Sequence, residues 1–317
     1  MCCGAQEDLV RLFKGVTMTF DESVNNRLGQ LELNIRRVPE SDRNFHKGGR
    51  SFYFFDFDDN VVTLKTPIVL FKKKDVKSSQ PDEVFVSSTL FARHSTHIGK
   101  NGLYRDYELR FEDTTGSFRY FRDQEISDLE RAAGKKQGFL EDFSEVFNLP
   151  DHIWKGPSWS CFYHAVFNRR PISLITARGH HPKTMREGIE MLIKTGFLPH
   201  SPNYLSLYPV NHPATRLELG HDLEDPVPLL KRSAIRASVE KAIAVYGFNP
   251  HHRFGMSDDD PKNIELIVEE MVELKKDFPD FSFFVIDTHE GRFVKKEIHS
   301  DHIENFACRS IHQLSLF

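Results

Sequence analysis

Apolar positions along this chain change period several times, and each change predicts an element. Val24, Leu28, Leu31 and Ile35 recur at helical spacing behind Asp21, a suitable N-cap. They predict a helix over Phe20–Arg37 within an N-terminal helical arm, residues 1–48. Phe52–Phe55 then run unbroken, as a strand buried on both faces does. Val61–Leu64 and Ile68–Phe71 predict two short strands around Thr66-Pro67, a flap-like hairpin. Residues 75–158 differ in character. Val84–Ser87, Tyr104–Phe111 and Ser117–Phe121 are β-like between Gly- and Asp-rich turns, and a helical stretch spans Gln124–Phe147, which predicts an α+β insertion.

Regular alternation follows that insertion. Helices are predicted near Trp159–Asn168, Pro182–Thr195, Leu230–Tyr246 and Pro261–Lys276, with strands at Ile172–Ile175, near Phe254 and at Phe281–Ile286. Strands separated by helices of this length imply βαβ units. The fold class is therefore α/β: a Rossmann-like, mostly parallel sheet formed by residues 49–74 and 159–317, with 75–158 inserted.

Composition narrows the function classes. The 317 residues suffice for one sizeable core, and 39% hydrophobic with 28% charged residues is ordinary for a soluble protein. A net charge of −4 supplies no field for nucleic acid or membrane, and Lys72-Lys73-Lys74 reads as a solvated edge. Cys2, Cys3, Cys161 and Cys308 contain no CxxC pair, so neither a zinc ribbon nor a disulfide framework is expected. The N-terminus lacks the features of a signal peptide, and lipidation of Cys2 or Cys3 has weak support. No apolar run reaches the roughly 18 residues of a membrane span. A cytoplasmic location is expected. No two of the 16 histidines stand four apart, which favours loop or surface positions over zinc binding, and the 28 phenylalanines indicate an aromatic core.

Candidate chemistry sits where apolar runs end. Phe55 is followed by Asp56-Phe-Asp58-Asp59-Asn60, and carboxylates at the carboxyl end of a buried strand face solvent chemistry in an open α/β sheet. Ile172–Ile175 ends at Thr176-Ala177-Arg178-Gly179, whose hydroxyl and turn amides suit an anion. Lys231 lies early in a helix after Pro226 and Pro228, and Arg253-Phe-Gly-Met precedes Ser257-Asp258-Asp259-Asp260. Asp260, before Pro261, reads as a helix N-cap.

In order and spacing these four segments resemble the motifs of the haloacid dehalogenase superfamily, mostly Mg²⁺-dependent phosphatases. The resemblance covers residues 50–64 and 170–290. It implies a three-layer α/β/α core with residues 75–158 as a cap. It further implies phosphate-monoester hydrolysis, with Asp56 as nucleophile and Asp58 as general acid and base. Thr176, Ala177 and Lys231 would bind phosphate. Mg²⁺ would be held by Asp56, the Asp58 carbonyl and an acid of the 258–260 loop, Asp258 before Asp259. Arg178 would bind substrate or pair with an acid, and His180 would contact substrate. Arg93, His94, His97 and Arg105 are candidate cap contacts. Asn60 replaces the family's Thr, which would weaken a structural hydrogen bond, and Asn263 stands where a second acid is usual. The implied partner is a phosphorylated small molecule. Phosphotransfer, removal of a terminal nucleic-acid phosphate (disfavoured by the acidic composition) and a non-catalytic regulatory protein are the alternatives. The oligomeric state is open.

Overall fold

The computed structural model describes residues 38–77, 79–222 and 225–307, so the expected N-terminal helix lies outside the described residues. The strands are β1 (Ser51–Phe55), β2 (Ile68–Lys72), β3 (Glu83–Val86), β4 (Tyr107–Glu108), β5 (Pro171–Thr176), β6 (Asn203–Pro209), β7 (Arg253–Asp258), β8 (Ser282–Asp287), β9 (Val294–Ile298) and β10 (Ile303–Ala307). The α-helices are α1 (Ser88–His94), α2 (Asp128–Ala132), α3 (Gly138–Val146), α4 (Asp151–Trp154), α5 (Trp159–Phe167), α6 (Pro182–Lys194), α7 (Pro213–Glu218), α8 (Val227–Tyr246) and α9 (Pro261–Asp277).

Seven strands form one sheet in the order β10-β9-β8-β7-β1-β5-β6. The five from β8 to β6 run parallel, while β9 and β10 join antiparallel at one edge. This is the expected mostly parallel α/β architecture. Alternation along β1 divides the core into two layers. Tyr53 and Phe55 face a layer completed by α3, α4, α5 and α6, including Phe143, Trp154, Phe162 and Ile189. Phe52 and Phe54 face α8 and α9 through Ala234, Val239, Ile267 and Met271. The aromatic core is literal: Phe52 stacks on Phe254 with ring centroids 4.7 Å apart.

Residues 68–158 divide by packing, since β2 joins the inserted strands and not the main sheet. Strands β3-β2-β4 form a small antiparallel sheet with its own apolar cluster, including Leu70, Val86 and Tyr107. Helix α3 joins the main core, where it buries Phe139, Phe143 and Val146.

Several expected elements differ. Residues 61–64 form no strand. Val61 N and Val62 N both donate to Phe57 O, at 3.0 and 3.1 Å, so the chain folds back at once after the acidic run. Ile68–Lys72 consequently pairs with β3 and β4 in place of a flap-like hairpin. The Gln124–Phe147 stretch is two helices, interrupted at Gly134, whose φ is +91°. Of Tyr104–Phe111 only two residues pair, and Arg119–Phe121 is a 3₁₀ turn. Strand β6 has no counterpart among the predicted strands, because prolines bracket it and Ser206 interrupts its apolar side. That hydroxyl is satisfied inside the core, donating to Ser173 Oγ at 2.7 Å and lying 2.9 Å from Ser238 Oγ.

Candidate active site

Strand pairing carries the first acids to their positions. The β1–β7 ladder runs from Ser51 opposite Arg253 to Phe55 opposite Ser257. It continues one residue further, with Asp56 N donating to Ser257 O at 2.9 Å. Asp56 therefore leaves the sheet next to Asp258, the last residue of β7. Helix α8 brings Lys231 between them. Its Nζ donates to Asp56 Oδ1 at 2.8 Å and to Asp258 Oδ2 at 2.9 Å. The side chains are 5%, 9% and 0% exposed for Lys231, Asp56 and Asp258, so water screens this pairing little.

The charges interact strongly here. Burial pushes the Asp56 carboxyl well above the usual carboxylate range, against the pull of Lys231. Burial, then the negative charges of Asp258 and Asp59, pushes Asp259 up to about 8. Burial alone would lower the Lys231 pKa, but Asp258 and Asp56 more than offset it and hold it above the ordinary lysine value. One carboxylate oxygen from each of Asp56, Asp258 and Asp259 lies within 4.8 Å of the others. Three clustered oxygen donors beside a strand end fit a hard divalent cation.

Asp58 points elsewhere. Arg178 Nε lies 2.9 Å from both of its carboxylate oxygens and Arg178 Nη2 is 2.6 Å from Oδ1, a fork on a carboxylate. The Thr176 hydroxyl donates to Asp58 Oδ2 at 3.1 Å. The Asp58 side chain is thus committed to the β5 turn and stands apart from the three-acid cluster. Arg178 is itself fixed, 1% exposed, with its guanidinium 4.8 Å from the centroids of both Phe121 and Phe139. Its Nη2 also donates to Thr66 Oγ1 at 2.9 Å, and the Thr66 hydroxyl donates to Asp142. Of the two roles expected for Arg178, pairing with an acid is the one observed.

Asn60, where a weakened hydrogen bond was expected, makes four. Its amide donates to Asp56 O and Ser257 O at 3.1 and 3.0 Å, and its Oδ1 accepts from Ser257 Oγ and Thr288 Oγ1 at 3.1 and 2.9 Å. Asp59 turns the chain in the left-handed region at φ 57°. Gly156 packs so closely on this loop that a Cβ there would stand 2.4 Å from Asn60 O. On the far side, Asp258 Oδ1 accepts from Asp260 N at 3.0 Å and from Asn263 Nδ2 at 3.1 Å. Asn263 therefore orients Asp258. Asp260 caps α9 as expected, accepting from Lys262 N at 3.0 Å.

The remaining candidates make none of these contacts. Ala177 is the exposed tip of the β5 turn. His180 is buried with its ring 5.0 Å from that of Phe139, and burial pushes its pKa down to about 2, helped by Arg178 and His212. It packs as a neutral core residue. Arg93 is exposed on α1, His94 lies against Tyr104, His97 is exposed, and Arg105 pairs with Asp106 at 3.7 Å. Phe121 and Phe139 complete the setting of Arg178, and the sequence carries no signal for them beyond their apolar character. Comparison with known proteins gives no match to this chain among family models, curated proteins or solved structures.

Proposed function

We propose that this protein hydrolyses phosphate monoesters with Mg²⁺ through an aspartyl-phosphate on Asp56. It would do so on a haloacid dehalogenase-type core, with the part of residues 75–158 that stays outside that core as cap. The observation that carries this reading is the Lys231 ammonium bridging Asp56 and Asp258 beside Asp259. That is the charge arrangement a phosphoryl group needs before a carboxylate can approach it. Mg²⁺ held by Asp56, the Asp58 carbonyl and Asp258 or Asp259 would neutralise phosphoryl oxygens.

The chain's own residues divide the work. The Asp56 carboxylate attacks phosphorus; its O–P bond forms as the ester P–O bond breaks, and the leaving oxygen takes a proton from Asp58. Once that proton has left, the Arg178 fork and the Thr176 hydroxyl bind the Asp58 carboxylate. Water then attacks phosphorus, Asp58 takes its proton, and the bond to Asp56 breaks to release inorganic phosphate. Lys231 holds phosphoryl oxygens during both steps, and the Thr176 hydroxyl would turn from Asp58 to join it.

Hydrolysis of an aryl phosphate with Mg²⁺, in wild type, Asp56→Asn and Asp58→Asn, tests the reading. Turnover should fall at least about 100-fold in each variant. Undiminished turnover in Asp56→Asn would overturn the mechanism. Absence of turnover in wild type across a broad phosphate-ester panel would favour a regulatory role for the same site.

A further inference from the structure

Strands β9 and β10 end the sheet as an antiparallel hairpin whose turn carries His299, Asp301 and His302. Beyond the last ladder pair, Ile298 with Ile303, His299 N donates to His302 O at 2.9 Å. The two histidines are therefore cross-strand neighbours, and side chains so placed share a face. Residue 304 follows 302 on that face, because strand residues alternate with period two. The imidazole rings lie 4.5 Å apart, 12° from parallel, and Glu304 Oε2 is 3.5 Å from His299 Nε2. One donor atom from each of His299, His302 and Glu304 lies within 4.8 Å of the other two.

Two details distinguish this group from a chance surface cluster. His299 Nε2 is shielded from solvent yet makes no hydrogen bond, despite its nearness to Glu304. A shielded imidazole nitrogen that makes no hydrogen bond is an unfilled demand. On the other ring, Asp301 Oδ1 lies 2.8 Å from His302 Nδ1. A carboxylate on one imidazole nitrogen sets the tautomer and leaves Nε2 as a lone-pair donor, an arrangement typical of metal-binding histidines.

We propose that His299, His302 and Glu304 form a second cation site, for Zn²⁺ or a metal of similar character, distinct from the acidic cluster around Asp56. Two imidazole nitrogens and one carboxylate suit Zn²⁺ and do not suit Mg²⁺, which prefers oxygen. Three protein ligands leave a fourth position for water. Tetrahedral donors at about 2.0–2.1 Å stand roughly 3.4 Å apart, and rotation of the exposed His302 and Glu304 side chains supplies the closure. The ion would tie the open end of the hairpin that terminates the sheet.

Calorimetric titration of the full chain with Zn²⁺, in excess Mg²⁺ so that the acidic cluster is occupied, tests the assignment. Wild type should bind one equivalent more than His302→Ala. Asp301→Asn, at an exposed position that leaves all three ligands in place, should weaken that equivalent by 10- to 100-fold. Hydrogen exchange at amides 294–307 should slow on adding Zn²⁺ to wild type and not to His302→Ala. Equal Zn²⁺ binding by wild type and His302→Ala, or exchange that Zn²⁺ does not alter in wild type, would overturn the site. Neither readout requires phosphatase turnover, so its failure is separable from failure of the proposed reaction.

Discussion

Lys231→Met removes the ammonium that stands between two buried carboxylates, and its consequence can be worked from the geometry. Both N–O distances are below 3 Å and all three side chains are under 10% exposed. Breaking a buried pair by deleting one partner typically costs about 3–5 kcal/mol. Lys231 is the cation that pulls the Asp56 carboxyl down against burial, so without it the folded pKa rises further. A group with a raised folded pKa loses stability as pH climbs from its unfolded to its folded value, and the variant widens that interval. The variant's deficit should therefore be larger at pH 7 than at pH 5. Urea unfolding in chelator at both pH values, followed by fluorescence of the buried Trp154 and Trp159, measures it. Saturating Mg²⁺ should return part of the loss, about 2.7 kcal/mol at a hundredfold excess over Kd. A variant as stable as wild type at pH 7, or a deficit identical at both pH values, would refute the reasoning.

Two further outcomes follow from packing and titration. Gly188→Ala should destabilise the protein in thermal melts although alanine favours a helix by about 1 kcal/mol, because its Cβ would stand 2.5 Å from the Phe139 ring. His180, buried and neutral with a pKa near 2, contributes stability that is complete above the unfolded value of about 6.5 and declines below it. Wild type should lose about 2 kcal/mol from this source between pH 7 and pH 5, and His180→Gln should lack that share of the acid dependence in urea titrations.

Much of the layout was legible because long apolar runs and their end residues carry strong signals. The run at 52–55, the Thr176 strand and the proline-started helices at 182 and 261 need only local periodicity and capping chemistry. The approach of Asp56, Asp258 and Lys231 was accessible through the family resemblance, because parallel neighbours of one strand bring their carboxyl ends together. Tertiary effects stayed hidden. Val61 and Val62 have strand-like composition, yet a hydrogen-bonded reversal at Phe57 claims them. The Arg178–Asp58 fork joins residues 120 apart in sequence, and Phe139 meets it only through packing. Asn60 looked like a weakened threonine because one-dimensional substitution logic counts lost hydroxyls and cannot count the three strand ends its amide reaches.

The central strand has hydrogen-bonded parallel neighbours on both sides, Ile172–Leu174 and Arg253–Ser257. That makes the chain unequally tolerant of changes in length. One residue added or removed within 51–55 would exchange the two core layers and turn Asp56 away from its ammonium, since side chains reverse at every step. The same change near Gly102, in an exposed turn where even a Cβ would touch nothing, leaves every one of those pairings intact. Length variation in this protein should accordingly collect in its exposed turns and spare the five residues that aim Asp56.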